Sequence, residues 1–259
     1  MNNANGNPIE RLEARRLLAS AGITGNELVV IGNVSTFNTI FLRFSADKSH
    51  IIVRYDSKTK VFATSSVDSV RLVGGSAGNL LQFGNRRNVF DLRATLVGGG
   101  GADTMIGGDG PDLFIASRGH TEMIGGIDDD TFVAGGGNDT IIGGTGTDII
   151  FGSTGNDSIV GGGNSDAIYA GSGNDTIVGS AAGTNQIVCS GGNNHITAHD
   201  GDTIYLGTGK DTIRGSVGKD GELHSGNYRD LNRILSIITP EAYRFKSANG
   251  RQADKAPLT

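Results

Sequence analysis

The sequence has no tryptophan, four prolines, one cysteine and only 6% aromatic residues. So few large apolar side chains argue against a large conventional core. The single cysteine, Cys189, excludes an intrachain disulfide, and we expect it to be a small buried residue. No apolar run approaches the roughly 18 residues of a transmembrane helix. The N-terminus also has no apolar stretch typical of a signal peptide, so export, if it occurs, must use another signal.

Glycine and aspartate are abundant instead, and both are concentrated in one block. Residues 98–223 hold 33 of the 43 glycines and carry 15 Asp and 2 Glu against 2 Lys and 2 Arg. The block therefore has a net charge of −13, and the rest of the chain must carry +8 to reach the total of −5. Phosphates would be repelled by such a block, so nucleic acid is not expected as a partner. A cationic ligand is favoured, and a solvated acidic surface is the alternative.

The block repeats every nine residues with the pattern Gly-Gly-x-Gly-x-Asp-x-U-x, in which U is a large apolar residue. The aspartate is position six of the repeat and U is position eight. Clear copies run through residues 98–178, although the copy at 116–124 has Thr121 at position six. A series of this length, with aspartate at one phase eight times, is not a chance pattern.

The repeat fades at both ends of the block. Two weaker copies precede it, with Asn79 and Asn88 at position six. After residue 178 the phase continues less cleanly to 223, with one residue gained near Ala182 and one lost near His199. Position six is then occupied by Asn185, Asn194, Asp202 and Asp211.

The repeat has the chemistry of a calcium site. Its glycine-rich half predicts a tight turn with positive φ, which points backbone carbonyls inward, and the aspartate adds a charged oxygen. Hard oxygen ligands of this mixed kind suit Ca²⁺, whereas zinc is disfavoured because His and Cys do not recur in phase. A metal-free β-solenoid that uses aspartate only in turns is the alternative. The predicted calcium ligands are Asp103, Asp112, Asp130, Asp139, Asp148, Asp157, Asp166, Asp175, Asp202 and Asp211.

The segment resembles the repeats-in-toxin (RTX, hemolysin-type) calcium-binding nonapeptide family. The resemblance implies an all-β fold, a right-handed parallel β-roll (a β-solenoid) with two nonapeptides per turn. It also implies Ca²⁺ between loops stacked on the same edge, so that aspartates two repeats apart share an edge. One edge would carry Asp112, Asp130, Asp148 and Asp166, and the other Asp139, Asp157 and Asp175, with Asp103 separated from them by Thr121. We expect about five well-formed sites, with weak or no binding at the two asparagine loops.

The sequence patterns divide the whole chain into four parts. Residues 1–26 hold the stretch LEARRLL at 12–18, which resembles an L-E-x-R-x-L-L motif of bacterial surface and secreted proteins or, alternatively, forms a short amphipathic helix. Residues 27–73 have strand patterns and are expected to form a small β-meander cap. The roll follows at 74–223, and 224–259 are expected to be a C-terminal cap with a possible helix at 231–238 and a disordered tail.

The function that these features predict is an extracellular or cell-surface calcium-binding structural protein whose folding Ca²⁺ stabilises. An adhesin or matrix component, or the non-catalytic secretion module of a secreted hydrolase, remains an alternative. An enzyme is not expected, because no His-Glu-x-x-His occurs and the G-x-S-x-G match at 74–78 lies inside a degenerate repeat. The sequence identifies no protein partner.

Overall fold

The structure is a computed structural model that describes residues 19–33, 35–84, 91–218 and 221–225. These residues form 22 β-strands and one 3₁₀ turn at Thr64–Ser66, with no α-helix among them. Within those ranges no helix is long and apolar enough to cross a membrane. The strands are β1 (Ser20–Thr24), β2 (Glu27–Ile31), β3 (Asn38–Phe44), β4 (His50–Tyr55), β5 (Lys58–Ala63), β6 (Ser69–Val73), β7 (Asn79–Phe83), β8 (Arg93–Val97), β9 (Asp103–Ile106), β10 (Leu113–Ile115), β11 (Thr121–Gly126), β12 (Thr131–Val133), β13 (Thr140–Gly144), β14 (Ile149–Phe151), β15 (Ser158–Gly162), β16 (Ala167–Ser172), β17 (Thr176–Val178), β18 (Gln186–Gly191), β19 (His195–Ala198), β20 (Thr203–Leu206), β21 (Thr212–Gly215) and β22 (Glu222–Ser225).

The strands form two sheets of 11, and the chain alternates between them. One sheet has the order β1-β2-β6-β8-β10-β12-β14-β16-β18-β20-β22, and the other has the order β5-β4-β3-β7-β9-β11-β13-β15-β17-β19-β21. From β6 onward, each strand pairs in parallel with the strand that lies two further along the chain. This architecture is a parallel β-solenoid, which confirms the β-roll that the repeat predicts.

The core of the roll is one column of position-eight side chains from each sheet. The shortest strands of the clear repeats have three residues, and alternation points only the central residue inward. Parallel register stacks equal positions, so Phe114 lies on Phe132 with ring centroids 4.6 Å apart. The column from Met105 to Ile204 is almost completely buried, as the sequence predicts.

The N-terminal strands lie at one end of both sheets. Strands β3, β4 and β5 form an antiparallel meander at the end of one sheet, and β1 pairs antiparallel with β2 at the end of the other. However, β2 and β3 also pair in parallel with β6 and β7, so they already form a turn of the solenoid. The motif at 12–18 and the possible helix at 231–238 lie outside the described residues.

The roll tolerates both irregularities in the repeat. Ile168 pairs with Ile187, and Ile187 pairs in turn with Ile204, so one turn is a residue longer than the regular turns and the next is a residue shorter. The extra residue near Ala182 and the missing one near His199 are absorbed in the loops, because a shifted strand would turn its core side chain outward.

Candidate calcium-binding edges

The loops of most repeats contain two left-handed positions. Positions two and four have positive φ in most clear repeats, as at Gly135 (88°) and Gly137 (127°). Glycine adopts this conformation at little cost. Two other residues adopt it as well, Ser153 at position two (φ 75°) and Asn164 at position four (φ 57°). The glycine pattern is therefore a backbone requirement that a short polar side chain sometimes meets.

The position-six aspartates on one edge form an unbroken row. The backbone N–H of each donates to Oδ1 of the residue one turn later, at 2.7 Å from Asp112 to Asp130 and 2.8 Å from Asp130 to Asp148. The row continues through Asp166 and Asn185 to Asp202 with the same bond at each step. The carboxylates of successive turns are thus held next to one another by the backbone.

The second edge has the same construction with one interruption. Asp139, Asp157 and Asp175 are joined by N–H to Oδ1 bonds of 2.8 and 2.9 Å, and the row continues through Asn194 to Asp211. Thr121 stands between Asp103 and Asp139 in register, which separates Asp103 from the rest of the row. The two rows are those that the two-repeat spacing implies.

The second carboxylate oxygen, Oδ2, is what makes these rows unusual. Seven of these oxygens are buried and accept no hydrogen bond, although buried polar atoms in proteins nearly always have a partner. They belong to Asp103, Asp130, Asp139, Asp148, Asp157, Asp166 and Asp175. Where position one is glycine, the missing side chain leaves room for this oxygen: a Cβ on Gly143 would collide with Oδ2 of Asp148. A row of unpartnered anionic oxygens calls for cations.

The row carboxylates are difficult to ionise without such cations. Burial raises the pKa of Asp130 to about 8, and that of Asp112 and Asp157 to about 7. The neighbouring carboxylates of the row raise these pKa values further, while the backbone N–H bonds oppose the shift. Bound Ca²⁺ would favour the charged form and reverse the effect.

The remaining ligands must come from the backbone. Among the described residues, no group of three His, Cys, Asp or Glu side chains is placed to hold a metal ion. Backbone oxygens do converge on this position, as Asn79 demonstrates one turn before Asp103. Its Nδ2 lies 2.6 Å from the oxygen of Ala77, 2.9 Å from that of Gly98 and 2.7 Å from Oδ1 of Asp103. Carbonyls plus a carboxylate form the kind of oxygen set that Ca²⁺ takes.

Three of the predicted ligands, Asp112, Asp202 and Asp211, are not among the seven aspartates with an unpartnered Oδ2. Oδ2 of Asp112 accepts from the N–H of Gly108, at 2.7 Å. Oδ1 of Asp202 accepts from both nitrogens of Asn185, and Oδ2 accepts from the N–H of His199. Oδ1 of Asp211 likewise accepts from both nitrogens of Asn194.

A second ladder lies outside the carboxylate row, at position five. Oδ1 of Asn138 accepts the backbone N–H of Asn156 one turn later, at 2.8 Å. Asn156 and Asn174 accept in the same way from the next turns, both at 2.7 Å. These asparagines were not predicted as structural, although their recurrence at every second repeat was a visible signal. Their exposed side chains pin each loop to the next.

The serine motif at 74–78 lies in the loop from β6 to β7, both of which are strands. A nucleophile elbow requires a strand followed by a helix, so the motif lacks the setting that its chemistry needs.

The fold and its edges define a repeat β-solenoid with carboxylate rows along its loops. A family model for the RTX calcium-binding nonapeptide repeat (four copies) matches residues 94–121, 124–159, 142–177, 180–213 and 190–221. The segment from 94 to 221 therefore consists of RTX calcium-binding nonapeptide repeats, and such repeats bind Ca²⁺. The RTX roll is a calcium-binding structural arrangement rather than a catalytic fold. No curated protein and no solved structure matches the chain significantly.

Proposed function

We propose that this protein is an extracellular or cell-surface structural protein whose roll is folded and held by Ca²⁺ along its two edges. The observation that carries the proposal is the set of seven buried carboxylate oxygens without a hydrogen-bond partner. Each unpartnered buried oxygen costs about 1–3 kcal/mol. Seven together cost roughly as much as the whole stability of a typical domain, about 5–15 kcal/mol. Cations bound between successive aspartates of the rows would remove this cost for six of the seven, all but Asp103.

The ions would lie between successive aspartates of a row, each held by carboxylate oxygens of two turns and by loop carbonyls. The uninterrupted pairs give three positions from Asp112 to Asp166 and two from Asp139 to Asp175. Binding of each ion would join two turns of the roll, so that the free energy of metal binding becomes folding free energy.

The extracellular assignment rests on calcium supply. Extracellular calcium-binding modules work at about 10⁻⁴–10⁻³ M Ca²⁺, which cytosol does not provide. A block with a net charge of −13 and a core one side chain wide would then remain unfolded inside the cell and fold after export.

A calcium titration of the full chain, followed by far-UV circular dichroism with Mg²⁺ as the control, tests the proposal. We expect a cooperative gain of β signal at sub-millimolar to millimolar Ca²⁺ and none with Mg²⁺. Full β signal in chelator would contradict calcium-dependent folding. A midpoint below micromolar Ca²⁺ would contradict the extracellular assignment instead, because the roll would then fold in cytosol.

A further inference from the structure

The second edge does not begin with aspartate. In register, its position-six column starts with Asn38 and Asn79 and only then reaches Asp103. All three side chains are almost fully buried. The two asparagines differ from the aspartates that follow because an amide carries hydrogen-bond donors in place of one charged oxygen.

Asn79 has its donor where the aspartates have an unpartnered oxygen. Its Nδ2 carries two hydrogens but lies within 3.3 Å of four oxygens: those of Gly75, Ala77 and Gly98, and Oδ1 of Asp103. Four oxygens around one nitrogen are more acceptors than an amide can use. The surroundings are therefore those of a small cation, and the partial positive charge of the NH₂ group occupies them.

Asn38 repeats the arrangement one turn earlier. Its Nδ2 donates to the carbonyls of Asn33 and Thr36 at 2.8 and 2.9 Å, and to Oδ1 of Asn79 at 2.6 Å. Its Oδ1 accepts the N–H of Asn33. The two amides thus form a chain in which each nitrogen satisfies the oxygen of the next turn, without any charge.

The same end of the roll has a thicker core. Strands β3 and β4 each bury three apolar side chains, and β2, β6 and β7 bury two each, whereas every strand from β9 to β13 buries one. Only further along do β14, β16 and β18 bury two or three. At about 1.5–3 kcal/mol for each buried large side chain, β2 to β7 gain more from apolar burial per strand than the neighbouring repeat strands β9 to β13.

We infer that the Asn79 amide takes the place of a calcium ion, so that strands β2 to β7 fold without calcium and template the calcium-dependent turns. The exposed edges of β6 and β7 would supply the register onto which β8 and β9 add in parallel. The inference rests on the proposed calcium-dependent roll, because a template has a purpose only if the repeats are unfolded before calcium arrives.

Hydrogen–deuterium exchange of the full wild-type chain is the first test. In chelator, we expect backbone amides of β3 and β7 to be protected and those of β13 and β15 to exchange freely; calcium should then protect β13 and β15. Unprotected β3 and β7 in chelator would overturn the inference while leaving the proposed function intact. Protected β13 and β15 in chelator would instead contradict the proposed function.

Asn79→Asp is the second test, read by native mass spectrometry with Ca²⁺ alone and by the same exchange experiment. The variant places a carboxylate beside Oδ1 of Asp103, so we expect one additional bound ion per chain. Protection of β7 in chelator should fall at least about tenfold and return with calcium. Gln82→Glu is the matched control, because it makes the same chemical change elsewhere on β7, where the amide donates to the Gly84 carbonyl. It should bind no additional ion.

An unchanged ion count and unchanged protection in Asn79→Asp would overturn the inference. If that variant does not fold even with calcium, the exchange pattern of the wild-type chain still decides the question.

Discussion

Replacing Asp148 by asparagine should change the stability of the roll in opposite directions with and without calcium. Asp148 lies in the middle of the first row and borders two proposed ion positions, towards Asp130 and towards Asp166. An asparagine fits this row without strain, because Asn185 already accepts the N–H of Asp166 there and donates to the Ser180 carbonyl. The substitution therefore removes a charge and keeps the ladder.

The expected changes in the free energy of unfolding have opposite signs with and without calcium. In calcium about 100-fold above Kd, each ion contributes about 2.7 kcal/mol, so weakening two should lower the free energy of unfolding by roughly 3–5 kcal/mol. In chelator at pH 8, the wild-type row holds a buried carboxylate whose pKa burial raises from 3.8 to about 6. Such a rise corresponds to at most ~3 kcal/mol, and solvent at the loop edge reduces it to roughly 1–2 kcal/mol. Removing that carboxylate should raise stability by this amount.

Urea unfolding followed by circular dichroism, in chelator and in millimolar calcium, measures both values. Where the wild-type roll does not fold in chelator, the gain appears as residual β signal in the variant. Asp129→Asn is the matched control: it removes the same charge from an exposed side chain on the same edge, whose Oδ1 accepts the N–H of Thr147. The control should change neither value by more than about 0.5 kcal/mol. A change of the same sign in both conditions for Asp148→Asn would refute the reasoning.

Three further outcomes follow from the same structure. Folding raises the pKa of the row carboxylates, to about 8 for Asp130, so the metal-free roll should be most stable near pH 4 and lose stability as pH rises to about 8. For the same reason, calcium binding at pH 6 should release protons, which a pH-stat detects. Phe132→Ala removes the ring that stacks on Phe114 in a core one side chain wide, and calorimetry in calcium should show a loss of about 3–5 kcal/mol. Gly155→Ala, at φ 132° and with its Cβ against the preceding turn, should cost at least about 1–3 kcal/mol by the same method, whereas Gly22→Ala, which meets nothing within 4 Å, should be nearly neutral.

The sequence predicts the repeat region well because one short period determines turn, strand and core together. Position eight must face inward, and position six must return to the same edge at every second repeat. Both follow from counting residues along the nine-residue period. Even the irregularities near Ala182 and His199 were visible as phase shifts, and Ile187 keeps its place in the core despite them. The sequence allowed a structural role to be assigned to those residues that occupy the same position in successive repeats.

The N-terminal end was harder to predict, because its pairing is not periodic. Alternation correctly predicted Ile40 and Leu42 on one buried face of β3. It did not indicate that β3 pairs in parallel with β7, since a meander without any repeat separates Asn38 from Asn79 along the chain. Hydrogen-bond partners were equally hidden: nothing in the pattern separates Asp202, whose oxygens are satisfied, from Asp148, whose Oδ2 is not.

The alternation of the chain between two sheets restricts how such a protein changes length during evolution. Deleting two consecutive nonapeptides removes one complete turn and leaves every downstream side chain on its original edge. Deleting only the nonapeptide that holds Asp157 would move all later strands to the opposite sheet, so that Asp166 would follow Asp139 in the second row. A chain of this architecture can gain or lose length only in pairs of repeats, and its gene is expected to vary in units that encode one such pair.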